Sequence, residues 1–193
     1  MRRREILIAT LAGPGLAACV AGPPTRPPVY AGRPAIILDA ATFDVEDRRQ
    51  PLPQSNFIDE RRGNELATQV RSYLHARYQP GGGSGTAIAE IVVASLTERL
   101  IENRAGGVVG LVTGEPTYQL DAKLAVKIVL REPGGTDRAY AQASVERSRQ
   151  VRAGAGVVER DTEGRKLMVD IVDQLDPVLE QAVRDSLQGR PAA

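Results

Sequence analysis

Residues 118–131 read YQLDAKLAVKIVLR. Every second side chain from Tyr118 to Leu130 is apolar, and most positions between them are polar or charged. This period-two alternation is typical of a β-strand with one buried and one solvated face. The turn-forming stretch EPGGTD and a second alternating run at 139–145 follow directly. The two runs are therefore predicted to form an antiparallel hairpin.

Two other segments have helical periodicity. Apolar side chains recur at helical spacing over about 59–78 and again over about 162–187. Pro177 lies inside the second segment, where it removes one backbone hydrogen bond. The apolar stripe keeps its phase across the proline, which favours one kinked helix. A second helix that begins at Asp176-Pro177 is the alternative.

Two further segments complete the predicted sheet. Residues 35–40, AIILDA, are a β-prone run that can extend to Val45, and residues 46–58 are predicted to be a loop. Residues 86–104 fit a strand because Ile91-Val92-Val93 is β-branched, whereas their apolar spacing also fits a helix. We favour the strand. The order β–α–β–β–β–α predicts an α+β fold, with two helices on one face of a roughly four-stranded, largely antiparallel sheet.

Composition disfavours several classes of function. The 193 residues include one Cys, one His and no Trp, with 25 basic and 24 acidic side chains. One Cys excludes an intramolecular disulfide, and one Cys with one His disfavours a structural zinc site. The charge balance disfavours nucleic-acid binding, which needs a clustered basic excess. We expect no metal, no cofactor and no nucleic-acid partner.

The sequence offers little for catalysis. His75 is the only histidine, and it lies off the apolar stripe of its predicted helix, where an exposed side chain is expected. No Gly-x-Ser-x-Gly motif and no phosphate-binding Gly-x-x-x-x-Gly-Lys loop is present. We therefore expect a protein without catalytic residues.

The N-terminus has the pattern of a secretory signal. Basic residues at 2–4 precede an apolar run at 6–12 that is too short to span a bilayer. The run leads to Leu16-Ala17-Ala18-Cys19, which resembles the lipobox of bacterial lipoprotein precursors. The resemblance implies removal of residues 1–18 and acylation of Cys19 on its sulfur and on its new amino group. Three acyl chains would anchor the protein stably in a membrane.

The same resemblance suggests a location and a domain plan. Val20 stands where an Asp favours retention in the inner membrane, so we expect the inner leaflet of the outer membrane, facing the periplasm, with the inner membrane as the alternative. Residues 19–34 hold the lipidated Cys19 and a proline-rich tether. Residues 35–188 form the predicted single α+β domain, and 189–193 form a tail. The oligomeric state stays open.

One basic cluster is a candidate contact site. Arg147, Arg149 and Arg152 follow one another at the end of the last predicted strand. Alternate residues of a strand share a face, so Arg147 and Arg149 could bind an anionic ligand or a partner together. Because acidic residues lie nearby in the sequence, a solvated strand end of mixed charge is the alternative.

The anchor, the tether and the order of elements together resemble the lipopolysaccharide-assembly lipoproteins of the outer membrane, and other proteobacterial lipoproteins share this pattern. In that family a small two-helix, four-strand domain plugs a β-barrel translocon. The resemblance implies a non-enzymatic assembly component, bound to the membrane through Cys19 and to an envelope protein partner. The abundance of alanine on the 139–145 face suggests an alternative, a lipid- or small-ligand-binding module with an apolar cavity between sheet and helices.

Overall fold

The computed structural model of the chain describes residues 27–51, 56–101, 117–152 and 154–188. The predicted signal peptide, Cys19, the first half of the tether and the tail lie outside the described residues. Within the described part, no helix is long and apolar enough to cross a bilayer.

Four strands form the main sheet: β2 (Thr42–Asp47), β4 (Thr86–Ile101), β5 (Thr117–Arg131) and β6 (Asp137–Arg152). They lie side by side in the order β2-β4-β5-β6. The predicted hairpin of β5 and β6 is confirmed, and β4 is a strand rather than a helix. The sheet is mixed because β2 runs parallel to β4 while the other pairs are antiparallel.

Two long helices, α1 (Phe57–Arg77) and α2 (Val157–Val183), pack on one face of this sheet. The α+β class predicted from the sequence is therefore confirmed. The Asn56 side chain caps α1 by accepting a hydrogen bond from the Asp59 amide at 2.9 Å. The helix α2 continues through Pro177, as the unbroken apolar stripe predicts. Fully buried residues between the layers include Leu66, Val70, Tyr73, Leu74, Leu124, Val126, Ile128, Leu167, Ile171, Leu175 and Leu179.

Several boundaries differ from the prediction. The predicted loop at 46–58 is shorter, because β2 continues to Asp47 and α1 begins at Phe57, next to the Asn56 cap. The run at 35–45 is broken into β1 (Ile36–Leu38) and β2, because β1 leaves the main sheet and pairs in parallel with β3 (Tyr78–Pro80). The strand β6 continues well beyond residue 145, since acidic side chains of α2 pair with arginines on its helix-facing side. The helix α2 begins at Val157, earlier than predicted. The apolar stripe does not reveal this start, because the first residues of the helix are exposed.

The sheet face away from the helices is largely polar, as expected. Lys123, Gln142 and Ser144 are exposed on it, and Lys127 lies with its amine 5.3 Å from the centre of the Tyr140 ring. Val129 lies on the same face but is only 1% exposed, because the neighbouring side chains cover it.

The two helices run parallel and in register. Arg62 of α1 donates to Asp161 of α2, and Arg77 of α1 donates to Asp176 of α2. In each pair the two residues are 99 positions apart in the sequence, so the same offset between α1 and α2 holds at both ends of the helices. Both helices therefore begin at one end of the domain and finish at the other.

Candidate functional site

A buried ion cluster joins the beginnings of the two helices to the sheet. Arg62 donates to Glu98 of β4 and to Asp161 of α2, at 2.8 Å in each case. Arg160 of α2 lies 2.9 Å from the same Glu98 and stacks over the ring of Tyr118, 4.4 Å from its centre. Arg62 is only 3% exposed, so its charge is neutralised within the protein. The cluster fixes the first turns of α1 and α2 beside the end of β4.

Exposed apolar side chains gather beyond this cluster. We call the surface made by Phe57, Ile58, Leu100, Val157 and Val158 the distal end. Phe57 is 80% exposed and Val158 is 78% exposed, and the other three are between 47% and 62% exposed. They belong to the first turns of the two helices and to β4 two residues past Glu98, so the ion cluster beneath them holds them at one end of the domain. Large apolar side chains exposed together are typical of an interaction surface.

The opposite end of the helices holds a second buried cluster. Arg77 is 2% exposed and donates from Nε to Asp176 Oδ1 at 2.8 Å and from Nη2 to Glu180 at 2.9 Å. The Tyr73 hydroxyl donates to the same Asp176 oxygen at 3.2 Å. Burial, together with the nearby charge of Asp176, raises the pKa of the Tyr73 phenol, which therefore remains a hydrogen-bond donor.

The chain enters the domain at this second cluster. Arg33 donates to Asp176 at 2.6 Å and to Glu180 at 3.1 Å, and Arg77 donates to the carbonyl oxygen of Pro34. The Val29 amide also donates to a carboxylate of α2, that of Asp173, at 2.8 Å. Residues 29–34 are thus held against the helices at the end farthest from the distal end.

The rings of this entry segment add to the attachment. Tyr30 is buried, and its ring meets that of Tyr73 edge to face, with the ring centres 4.9 Å apart. Burial, and secondarily the charge of Asp173, raises the pKa of the Tyr30 phenol. The segment is therefore fastened by both polar and aromatic contacts.

The structure separates the three arginines that were candidates for a contact site. Arg147 and Arg149 face the helices, and Arg149 donates to Glu163 and Asp170 of α2 at 2.8 Å in each case. The side chain of Arg152 lies on the other face of the sheet, because it is an odd number of residues away on the same strand. Cys19, the remaining predicted site residue, lies outside the described residues.

Two other sequence-based expectations have a clear location. His75 is exposed on α1, with its ring 5.8 Å from that of Phe43. Ala141 and Ala143 of β6 are buried beneath α2 rather than facing an open space. Their small side chains allow α2 to approach the sheet closely. A shallow open depression lies instead on the outer face of α1, next to Phe57 and Arg61.

No protein-family model and no curated protein matches the chain. Solved structures that are similar to it include a minor lipoprotein from Acinetobacter baumannii, with 11% identity and a TM-score of 0.41, over 76% of this chain and 95% of that one. The rare lipoprotein B from Shewanella oneidensis has 14% identity and a TM-score of 0.41, over 75% of this chain and 95% of that one.

A third similar structure is the lipoprotein B from Nitrosomonas europaea. It has 14% identity and a TM-score of 0.42, over 86% of this chain and 93% of that one. This chain is thus similar to solved structures that are named lipoproteins.

Proposed function

We propose that this chain is a membrane-anchored envelope lipoprotein without enzymatic activity, which presents its distal end to a protein partner. The observation that carries the proposal is the group of exposed apolar side chains at that end. Phe57 and Val158 are exposed by more than three quarters and lie outside the buried core between helices and sheet. Burial against a partner is the favourable outcome for such side chains.

The route of the chain supports the same proposal. Residues 29–34 attach at the far end of both helices, through Arg33 and the Asp176 cluster. A tether that leads from an acylated Cys19 to this point would direct the distal end away from the anchoring membrane. This orientation suits a component that meets an envelope protein, in lipopolysaccharide or lipid transport to the outer membrane, as the resemblance noted above implies.

The anchor is tested by Cys19→Ala in the full chain. We expect the variant to move from the membrane fraction to the soluble periplasmic fraction, because the acyl chains supply the stable attachment. Wild-type protein fractionated in parallel is the control. Unchanged membrane fractionation of the variant would refute the lipid anchor.

The distal end is tested by Phe57→Ser/Val158→Ser, with Val178→Ser as the matched control. Val178 is an exposed valine of α2, the helix of Val158, and lies towards its other end. In cells depleted of the wild-type protein, we expect the double variant to recover roughly tenfold less of the envelope partner on affinity purification. We also expect it to leave the envelope defect uncorrected, whereas Val178→Ser behaves as wild type. Equal recovery and correction by both variants, or depletion without an envelope defect, would overturn the proposal.

A further inference from the structure

The outer edge of β6 is a second surface with a defined chemistry. This strand is 16 residues long and is the last of the sheet, and among the described strands it pairs with β5 alone. Its sequence contains no proline, so every residue retains a backbone amide. A long unpaired strand edge offers alternating donors and acceptors to an added strand.

The opposite edge of the sheet, along β2 and the free part of β4, is covered by other groups of the chain. The short strand β2 covers only the first part of β4, ending opposite Ile91. Beyond that point the Arg48 amide donates to the carbonyl oxygen of Ile91 at 3.0 Å. The Arg49 guanidinium lies 3.4 Å from the carbonyl oxygen of Ala94 and donates to that of Gly63 on α1. Groups of the chain itself thus occupy this edge, whereas within residues 27–51, 56–101, 117–152 and 154–188 the β6 edge has a strand neighbour on one side only.

Cations mark the last part of β6. The side chain of Arg147 is 46% exposed and faces the helices, with its nearest carboxylate, that of Asp170, 4.0 Å away. Arg152 is exposed on the opposite face and forms no ion pair within the part of the chain that the structure describes. Arg147 and Arg152 are five residues apart on β6, so their side chains lie on opposite faces of the sheet. In an added strand the two residues opposite them would also be five positions apart and on opposite faces.

We propose that the outer edge of β6 binds an extended acidic segment of a partner protein, which adds to the sheet as a fifth strand. Two of its carboxylates, five residues apart, pair with Arg147 and Arg152. A second copy of this chain fits less well, because α2 already lies over β6 through the ion pairs of Arg149 and would meet its own copy. The last part of this edge ends beside the distal end, because Val151 is in register with Leu100 through Tyr118. The proposal rests on the strand edge and its two arginines and not on the exposed apolar side chains, so it stands independently of the proposed function.

The test measures binding of synthetic peptides to the full chain in detergent micelles. One peptide alternates threonine and valine and carries two glutamates five positions apart, on opposite faces when extended. Its control carries them four positions apart, on one face. We expect the first to bind about tenfold more tightly, and to slow hydrogen exchange at alternate amides of β6.

A pair of charge-reversed variants completes the test. Arg147→Glu/Arg152→Glu is expected to weaken binding of the first peptide by at least about tenfold. Arg48→Glu/Arg71→Glu, with the same change of charge on exposed arginines elsewhere, keeps wild-type binding. Equal affinity for both peptides, binding without slower exchange in β6, or no binding by either peptide would each overturn the proposal. None of these measurements depends on the distal end.

Discussion

Arg77 of α1 donates from its Nε to Oδ1 of Asp176 in α2 at 2.8 Å, and both side chains are almost completely buried. The pair lies at the finishing end of two parallel helices, and Arg62 and Asp161 form its counterpart at the beginning. On each helix the two paired residues are 15 positions apart, which is about 22 Å at the rise of an α-helix. The two helices are thus joined at both ends by buried guanidinium groups.

Removing Arg77 should be costly. In Arg77→Met the buried Asp176 loses its buried guanidinium donor and keeps, among the described residues, the half-exposed Arg33 and the Tyr73 hydroxyl. We expect the free energy of unfolding, measured by urea denaturation, to fall by about 3 kcal/mol, because an incompletely paired carboxylate remains buried. Arg48→Met, which removes the arginine of the surface pair with Glu46, should change it by about 0.5 kcal/mol or less. A loss below about 1 kcal/mol in Arg77→Met would contradict this account.

Acid should weaken the fold through the cluster at the distal end. Burial opposes ionisation of Asp161, but hydrogen bonds from Arg62 and Arg61 outweigh it and lower the pKa of this carboxyl below its ordinary value of 3.8. The native state then binds fewer protons than the unfolded state. The stabilisation is complete above the ordinary pKa and is lost as the pH falls through the lower native value.

The measurement is urea denaturation at several pH values from about 5 to about 3. Asp161→Asn should lose less unfolding free energy over this interval than the wild type, because its side chain cannot take up the proton. Arg165→Met is the control, since Arg165 is exposed and contacts the Thr162 hydroxyl. If Asp161→Asn kept the wild-type slope, the cluster would not contribute to acid sensitivity.

The turn before β4 depends on Gly85. Its φ is +79°, and an added Cβ would lie 2.1 Å from the carbonyl oxygen of Arg131. Gly82 has a similar φ of +88° but open space around it. We expect Gly85→Ala to lower the free energy of unfolding by more than about 2 kcal/mol and Gly82→Ala by about 1 kcal/mol, because only the first adds a clash to the backbone strain. Equal losses in urea denaturation would show that the contact with Arg131 relaxes without cost.

The main sheet could be predicted where the pattern is local. The alternation from Tyr118 to Leu130 identified β5, because a strand buried on one face needs period two whatever its partners are. The ribbon of β1 and β3 could not be found this way, since three residues per strand contain no measurable period. The parallel pairing of β2 with β4 depends on the route of the chain through α1, which no local pattern records.

The buried arginines illustrate a signal that was present but ambiguous. Arg62 and Arg77 lie at helical spacing from the apolar positions 66, 70 and 73, on the face of α1 that packs against the core. A cation on an apolar stripe indicates a buried partner, but the partners Asp161 and Asp176 lie 99 residues away in each case. Periodicity alone cannot supply contacts at that separation. The apolar distal end was missed for a related reason, because Val157 and Val158 precede the stripe of α2.

The attachment of residues 29–34 has a mechanical consequence. A pull on the chain before Val29 is transmitted through the Val29 amide and Arg33 to Asp173, Asp176 and Glu180. These acceptors belong to α2, the last long helix, so the force reaches it before the short strand β1. Three hydrogen bonds to this one helix then share the load. In the proposed membrane-anchored form, a pull on the tether is therefore borne first by a helix that is packed in the core.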